Sequence, residues 1–229
     1  ALNGLELAAL TTEPGADGRR LLTEEIIADS VQQKVIRYDK QGDNHYDTIS
    51  AFIKSIRGSN PDAALFYLAK MLKAGEDPKF IARRMIVHAA EDIGNADPQG
   101  LVVAVAAAQA VEMVGLPEAR IPMAQAAVYL ATAPKSNACY QGIDRALADV
   151  DAVSQGTIPM HLRDASHPGS RQLGHGQGYL YPHDFPGHYV RQEYLPAELK
   201  GRRYYEPTTE GYEQEIKTRL EKWRVGENK

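Results

Sequence analysis

The chain has 229 residues, 43% of them hydrophobic, and a formal net charge of −4. This composition is sufficient for a sizeable buried core, and the negative charge argues against general affinity for nucleic acid. The longest apolar run, from Leu101 to Ala108, is far shorter than the roughly 20 residues that span a bilayer. The single cysteine, Cys139, has no partner for an internal disulfide, which suits a reducing cytoplasm.

The first 43 residues predict two short helices. The run from Ala1 to Leu7 reads as a helix entered midway, so we expect the chain to be a fragment. After a polar break, Thr23 is placed to cap a second helix from Glu24 to Gln33, with its isoleucine and valine residues on one face. A helical hairpin docked on the rest of the chain would satisfy this pattern.

From residue 44 to 153 the sequence is divided by four helix-breaking segments. Each contains glycine, which tolerates the left-handed conformation after a helix end, and then proline, which is tolerated in the first turn of the next helix. In three of them Asn or Asp precedes the proline and can cap that helix. The segments are Gly58-Ser59-Asn60-Pro61, Gly75-Glu76-Asp77-Pro78, Gly94-Asn95-Ala96-Asp97-Pro98 and Gly115-Leu116-Pro117. Because the prolines are 17, 20 and 19 residues apart, we predict a compact all-helical array.

The first three predicted helices, 46–56, 61–73 and 78–93, are amphipathic, with apolar residues at helical spacing. The third also has a polar ridge with i+3 and i+4 spacing, which is typical of a salt-bridged helix face. An acid/base site is the alternative interpretation of this ridge. The ridge residues are Arg84, His88, Glu91 and Asp92.

The next two predicted helices, 98–114 and 121–133, have very few polar side chains. A helix that is apolar on all sides is either enclosed by its own chain or covered by another one. Two fully enclosed helices are hard to arrange in a bundle of this size, so we favour an interface between chains. The candidate interface residues are Val103, Val105, Val111, Val128 and Leu130.

A last helix of the array, capped by Ser136 or Asn137, is expected to end near Val153. Its inward residues are expected to be Ile143, Leu147 and Val150. Helical periodicity then disappears, and residues 157–196 are rich in Pro, Gly, His and Tyr, which predicts an extended arm over the surface. A terminal helix, about 210–223, follows the arm. Its docking residues are expected to be Ile216, Leu220 and Trp223.

Positive charge is concentrated on the first helices of the array. Between Lys54 and Arg84 there are seven Lys or Arg residues and three Asp or Glu residues. Such a patch can contact nucleic-acid phosphates, or it can be an ordinary solvated surface in which Arg83 and Arg84 pair with the nearby acids. The candidate DNA-contact residues are Lys54, Arg57, Lys70, Lys73, Arg83 and Arg84.

Two kinds of site are not supported by the sequence. The chain has no Gly-x-x-x-x-Gly-Lys-Ser/Thr phosphate loop, so we expect no ATP hydrolysis and no catalytic residue. Five arm histidines lack the cysteine pair or the short His-x-x-x-His spacing that would indicate zinc, so we expect no metal and no bound cofactor. These histidines are His161, His167, His175, His183 and His188.

Six segments spread over most of the chain form an ordered set. They are His45-Tyr46-Asp47, Lys54-Ser55-Ile56-Arg57-Gly58-Ser59-Asn60-Pro61-Asp62-Ala63-Ala64, Gly75-Glu76-Asp77-Pro78, Ile81-Ala82-Arg83-Arg84, Glu91-Asp92-Ile93-Gly94 and Ala133-Pro134-Lys135-Ser136-Asn137. The set resembles the replication-associated recombination protein A family of clamp-loader-like AAA+ ATPases, bacterial relatives of the Werner-helicase-interacting protein. What it resembles is the part that is C-terminal to the ATPase core.

This resemblance implies a division into three parts. Residues 1–43 would be the remnant of the AAA+ lid helices, 44–155 a clamp-loader-collar-like oligomerisation domain, and 156–229 an extended arm with a C-terminal helix. The resemblance also implies a cytoplasmic, nucleoid-associated homotetramer that acts in DNA replication, recombination and repair at stalled forks. Its implied partners are DNA and single-stranded-DNA-binding protein, while ATP and magnesium are implied for the parent protein only.

Two other interpretations stay open. The chain could be a monomeric helical scaffold that binds DNA or protein partners, with both apolar helices internal. It could also be a metal-dependent enzyme that uses the histidine-rich arm. The molecular mass in solution tests the first alternative, and metal analysis of the purified chain tests the second.

Overall fold

The computed structural model describes residues 9, 12, 14, 20–24, 43–153 and 157–225. Within these residues the chain is helical and contains no β-strand, which confirms the predicted all-α class. The two predicted N-terminal helices lie almost entirely outside the described residues. The helices are α1 (Asp43–Arg57), α2 (Pro61–Lys73), α3 (Pro78–His88), α4 (Gln99–Val114), α5 (Arg120–Thr132), α6 (Ala138–Ala152), α7 (Pro168–Gln172) and α8 (Glu213–Val225). None of them combines the length and hydropathy needed to span a bilayer.

The helix caps predicted before α2 and α3 are present. Asn60 Oδ1 accepts a hydrogen bond from the backbone N–H of Ala63 at 2.9 Å. Asp77 Oδ1 accepts one from the N–H of Lys79, also at 2.9 Å. Each cap satisfies a donor that would otherwise have no partner in the first helical turn, so the two helices begin at the prolines that follow the caps.

At the break after α1, the residue with the left-handed backbone conformation is not the predicted glycine. Ser59 has a φ of 57°, whereas Gly58 does not have a positive φ. Gly58 fits for another reason: a Cβ atom there would lie 3.1 Å from the carbonyl oxygen of Lys54. The glycine therefore allows close approach, and the serine takes the strained conformation.

The predicted helix 78–93 changes geometry before its end. Its α-helical part stops at His88 and continues as a π turn (Ala89–Ile93) and then a 3₁₀ turn (Gly94–Ala96). Gly94 has a φ of 50°, and a Cβ atom on it would lie 2.9 Å from the carbonyl oxygen of Ser136. Glycine is thus required where the start of α6 crosses these two turns.

The two apolar helices occupy different places in the array. α5 packs against α1, α2, α3 and α4 and is the central helix. α4 packs against α3, α5 and the π turn, and its buried residues form one stripe along the helix. The interpretation of both helices as surfaces between chains is therefore wrong for α5, which is largely enclosed by its own chain. The largest fully buried core residues are Phe52, Ile56, Met71, Ile81, Met85, Ile93, Met123 and Leu130.

The prediction for the inward face of α6 is wrong. Ile143, Leu147 and Val150 are each more than half exposed. α6 instead packs through the small residues Ala138 and Gly142, which are buried. A Cβ atom on Gly142 would lie 3.0 Å from the carbonyl oxygen of Tyr204 in the arm, so the arm covers the face without large residues.

Residues 157–212 contain only short helical turns and α7, and the arm predicted for residues 157–196 lies within this segment. Arg202 binds Asp149 of α6 through two hydrogen bonds, of 2.6 and 2.8 Å. The arginine holds the pKa of that carboxyl down at about 2. Tyr189 stacks on Trp223 of α8 with ring centroids 5.7 Å apart. The arm and the terminal helix are thus joined to the array and to each other.

Candidate interaction surfaces

A polar cluster forms where the end of α1 meets the π turn and the α5–α6 connection. We call it the polar junction, and it consists of Arg57, His88, Glu91, Asp92 and Lys135. Arg57 donates from Nε and Nη2 to the two carboxylate oxygens of Asp92, at 2.8 and 2.9 Å. It also donates to Glu91 Oε1 at 3.3 Å. The acids predicted as partners of Arg83 and Arg84 thus bind Arg57 instead.

His88 is the buried member of the polar junction, with 1% of its surface exposed. Its Nδ1 lies 2.8 Å from Asp92 Oδ2, but neither ring nitrogen makes an aligned hydrogen bond within the described residues. Burial lowers the pKa of His88 to about 4, and Arg57 and Lys135 lower it further, while Asp92 acts in the opposite direction. The ring is therefore neutral near pH 7, so this enclosed position favours a structural role over an acid/base site.

Lys135 closes the polar junction from the side of α5. Its Nζ donates to the carbonyl oxygens of Ala131 and Ala133 and to Ser59 Oγ. These carbonyls are among those that the last turn of a helix leaves without partners, so Lys135 caps α5. Burial lowers the pKa of this lysine, and Asp92 acts in the opposite direction.

A second cluster holds the terminal helix, and Glu213 is at its centre. The Glu213 side chain is fully buried. It accepts hydrogen bonds from Ser136 Oγ (2.7 Å), Tyr205 OH (2.9 Å), and the N–H (2.7 Å) and Oγ1 (2.8 Å) of Thr208. Desolvation by burial raises the pKa of Glu213, but the donors outweigh it and the net shift is downward. Ser136 thus connects α8 to the start of α6 as well as capping Ala138 N–H.

Cys139 lies beside this second cluster and is half-buried. Its Sγ accepts a hydrogen bond from Asn95 Nδ2 at 3.3 Å. Burial raises the pKa of the thiol, and the Glu213 carboxylate raises it further. Because the thiolate is the reactive form, this environment is that of a packing residue.

The six predicted DNA-contact residues do not share one surface. Three of them, Lys54, Arg57 and Arg84, line a groove between α1 and α3 with a volume of about 540 Å³. Lys73 lines a separate groove between α2 and α5, and Lys70 lies on α2. Arg83 lines a smaller cavity beside α4.

The groove between α1 and α3, called the α1–α3 groove below, also contains two aromatic side chains. Tyr46 begins one of its walls and is two-thirds exposed, and Phe80 lies on the other wall. Neither aromatic residue was predicted from the sequence, because the two are 34 residues apart and share no motif. Only the packing of α1 against α3 brings them to the same groove.

The five predicted interface residues also differ in placement. Val111 and Leu130 are in the core of the chain, with 4% and 0% of their surfaces exposed. They therefore have almost no surface left for a partner. Val103 and Val128 are half-buried, and Val105 is exposed. The exposed aliphatic residues of α4 that the prediction omitted are Leu101, Val102, Met113 and Val114.

No group of three or more His, Cys, Asp or Glu side chains in the described part of the chain is arranged to hold a metal ion. In the arm, His183 lies between Tyr181 and His188, with ring centroids 5.1 and 4.9 Å away. His161 Nε2 lies 2.8 Å from the carbonyl oxygen of Glu193. These contacts give three of the five arm histidines packing or backbone partners.

Comparison with known proteins defines the class of this helical array. Residues 1–57 match a family described as the AAA C-terminal domain, so the array follows the C-terminal part of an AAA module. Residues 58–224 match the family described as "MgsA AAA+ ATPase C terminal", and the chain belongs to this family. The boundary between the two matched families falls at the end of α1.

Three relatives illustrate the extent of the similarity. An uncharacterized AAA domain-containing protein of Mycobacterium tuberculosis is 50% identical over 225 residues, which cover 98% of this chain and 49% of that protein. Replication-associated recombination protein A of Bacillus subtilis is 49% identical over 211 residues, covering 92% and 50%. The Escherichia coli protein of the same name is 44% identical over 221 residues, covering 96% and 49%. The chain thus spans about half the length of these relatives.

Proposed function

We propose that this chain assembles an AAA+ ATPase of replication-associated recombination into a homo-oligomer. A tetramer is the state that the family resemblance implies. Assembly would place several ATPase units around one helical centre at stalled forks, where DNA and single-stranded-DNA-binding protein are the proposed partners. The observation that supports the proposal best is the distribution of side chains around α4.

The residues of α4 that face the core are small, whereas the larger ones face outward. The buried positions are Gly100, Ala104, Ala107 and Val111. Their spacing of four, three and four residues forms one helical stripe. On the outside, Val102 is 58% exposed and Met113 is 85% exposed. A helix that faced only water would carry polar side chains at these outward positions.

The exposed stripe of α4 is the set of Leu101, Val102, Val105, Met113 and Val114, and the polar residues Gln109 and Glu112 are exposed among them. Burying a large aliphatic side chain contributes about 1.5–3 kcal/mol. Several such residues on one helix therefore provide enough free energy for association after the cost of fixing two chains.

The monomeric scaffold is the competing interpretation, and the enclosure of α5 agrees with it. It leaves unexplained why the aliphatic residues Leu101, Val102 and Met113 of α4 are 41%, 58% and 85% exposed. A double substitution, Val102→Asp with Val105→Asp, separates the two interpretations. In an interface these aspartates would be buried without partners, so the variant should stay helical and become a monomer.

Two control variants distinguish loss of an α4 interface from a general effect of adding a charge. Ile143→Asp changes an exposed apolar residue of α6 and should leave the mass unchanged if α4 forms the interface. Leu130→Asp places a charge in the core and should abolish helical circular dichroism. The proposal fails if the α4 double variant has the mass of the unmodified chain in light scattering.

The residues of this chain do not fit ATP or magnesium. The sequence has no phosphate loop, and the described part has no acidic group arranged for a metal ion. We infer that the parent protein binds both outside these residues, so no step of ATP hydrolysis is assigned to them. Phosphate release by the purified chain in the presence of ATP and magnesium would contradict this inference.

A further inference from the structure

We propose that the outward face of α6 binds an amphipathic helix of a partner protein that carries lysine or arginine beside its apolar residues. This inference goes beyond the oligomer proposed above, which rests on α4. The outward face of α6 is called the α6 stripe below. It consists of four apolar residues, Tyr140, Ile143, Leu147 and Val150, with Asp144 and Asp151 along one edge.

The side chains of α6 are divided between two opposite faces. The four apolar residues of the α6 stripe point outward, and each has 46% to 67% of its surface exposed. The inward residues Ala138 and Gly142 are small and buried, and the arm lies directly over Gly142. Because successive helical residues are rotated by about 100°, these two sets lie on opposite sides of the helix. The arm therefore covers one side of α6, and the described part of the chain leaves the other side open.

The apolar residues of the α6 stripe follow a heptad spacing. They are separated by three, four and three residues, which is the spacing of the a and d positions in a coiled coil. From Tyr140 to Val150 this seam extends about 15 Å along the helix axis. Side chains of a second helix fit between residues at these positions, as knobs into holes. The shape of the α6 stripe therefore fits a helical partner.

The edge of the α6 stripe is acidic. Asp144 and Asp151 are exposed at the e positions of the same heptads, and neither forms an ion pair with another described residue. Asp144, and to a smaller extent Glu91, raises the pKa of Tyr140, so negative charge also acts at the start of the seam. The one cation of α6, Arg145, donates instead to a carbonyl oxygen of the arm. A helix with lysine or arginine beside its seam would thus be attracted, and an acidic helix would be repelled.

A second copy of α6 is a poor occupant of the α6 stripe. In an antiparallel two-fold pair, the same surface of each copy meets itself, so each acidic edge would lie against the acidic edge of the other copy. Like charges placed together in an interface reduce its affinity. The charge of the α6 stripe therefore favours a different protein as the partner.

The two largest grooves of the array carry the opposite charge. The groove between α2 and α5 is apolar, but its charged lining residues are Lys73 and Arg120. The α1–α3 groove is lined by three cations and one acid: Lys54, Arg57, Arg84 and Asp47. Of these three surfaces, the α6 stripe alone combines an apolar seam with an acidic edge, so it alone fits a basic amphipathic helix.

Fluorescence anisotropy of a labelled synthetic helix tests the proposal. The probe is a peptide of about three heptads with leucine at the a and d positions and lysine at the e and g positions. Its matched control has glutamate in place of every lysine. The unmodified 229-residue chain should bind the lysine peptide but not the glutamate peptide. Equal binding of the two peptides, or no binding of the lysine peptide, would overturn the proposal.

Shortening the side chains of the seam should weaken binding. Ile143→Ala with Leu147→Ala removes two apolar contacts from the centre of the α6 stripe and should raise the Kd of the lysine peptide at least about tenfold. Phe66→Ala with Ile121→Ala removes two similarly exposed apolar residues from α2 and α5 and should leave the Kd unchanged. All four residues are exposed, so both variants should keep their helical circular dichroism. Equal losses in the two variants would place the peptide elsewhere and overturn the proposal.

Charge reversal tests the acidic edge separately from the seam. Asp144→Lys with Asp151→Lys should reverse the preference, so that the glutamate peptide binds better than the lysine peptide. Asp62→Lys with Glu118→Lys makes the same change in net charge at exposed positions outside α6 and should keep the original preference. The same preference in both variants would contradict the assigned role of the two aspartates.

Light scattering of the same samples separates this proposal from the oligomer proposed above. All four variants should keep the mass of the unmodified chain. A lower mass for Ile143→Ala with Leu147→Ala would make a second copy the occupant of the α6 stripe and would overturn the assignment to a partner protein. A monomeric unmodified chain that binds the lysine peptide through the α6 stripe would contradict the oligomer and support this proposal.

Discussion

Arg57 and Asp92 are 35 residues apart in sequence and are joined by two parallel hydrogen bonds, of 2.8 and 2.9 Å. The pair connects the last residue of α1 to the π turn that follows α3. Because the match to the AAA C-terminal domain family ends at residue 57, this pair is also a bond between the two matched parts of the chain. Its geometry is the bidentate fork that only arginine provides.

Loss of this fork should destabilise the array. Arg57→Ala removes the main hydrogen-bond donor of Asp92, whose side chain is mostly buried. We expect the free energy of unfolding to fall by about 1–2 kcal/mol. The loss is smaller than for a fully buried pair because Arg57 itself is nearly half exposed. Arg57→Lys keeps the charge but cannot form both hydrogen bonds. Its free energy of unfolding should therefore lie between those of the unmodified chain and Arg57→Ala. Chemical denaturation measures both, with Lys54→Ala as the control. Equal stability of Arg57→Ala and Lys54→Ala would contradict the prediction.

His88 should make stability depend on pH. Its pKa is about 4 in the folded chain, below the ordinary 6.5, so the unfolded chain binds a proton that the folded chain does not. The free energy of unfolding should therefore fall as the pH drops from 6.5 to 4, by up to about 3 kcal/mol. His88→Gln should flatten this slope, whereas His167→Gln, at an exposed position of the arm, should not. The same slope in both variants would exclude His88 as the cause.

The Glu213 carboxylate should be necessary for docking of α8. Glu213→Gln removes the negative charge and replaces one of the two acceptor oxygens by an NH₂ group, which then faces at least one of the four donors. The expected loss is about 1–3 kcal/mol. The loss should appear as faster proteolytic removal of the C-terminal helix while the array stays intact. Glu215→Gln is the control because Glu215 is exposed on the same helix. Equal cleavage rates for the two variants would show that the four hydrogen bonds to Glu213 do not hold the helix.

Gly211 and Gly201 form a matched pair for testing close packing. Both have a positive φ, so alanine is strained at either position. A Cβ atom on Gly211 would overlap the carbonyl oxygen of Ala96, whereas one on Gly201 would contact nothing. Gly211→Ala should therefore lower the melting temperature clearly more than Gly201→Ala. Similar melting temperatures would mean that the arm can move away from Ala96 without cost.

The array was predictable from sequence because its signals are local. Caps such as Asn60 and Asp77 act within three residues, and they set the starts of α2 and α3 as predicted. The outward stripe of α6 was not predictable, since Ile143, Leu147 and Val150 have the same periodicity as a buried face. What decides the orientation is the contact of Gly142 with a distant arm residue.

The candidate sites were less predictable for the same reason. Sequence identified the acids of the polar junction but gave them the wrong partners, because Arg57 reaches them through packing over 34 and 35 residues. It identified Lys54 and Arg84 but not the aromatic ring of Tyr46 beside them. For α4, composition indicated an exposed apolar surface but not which valines lie outward, since nearly every position of that helix is apolar.

The molecular mass of the unmodified chain in solution tests the central claim most directly. Light scattering coupled to size exclusion, over micromolar concentrations, should give a stable multiple of 25.2 kDa, and a fourfold value would match the tetramer implied by the family resemblance. The exposed stripe of α4 is the physical reason for expecting association. A mass of 25.2 kDa at every concentration, for a chain with helical circular dichroism, would contradict the account.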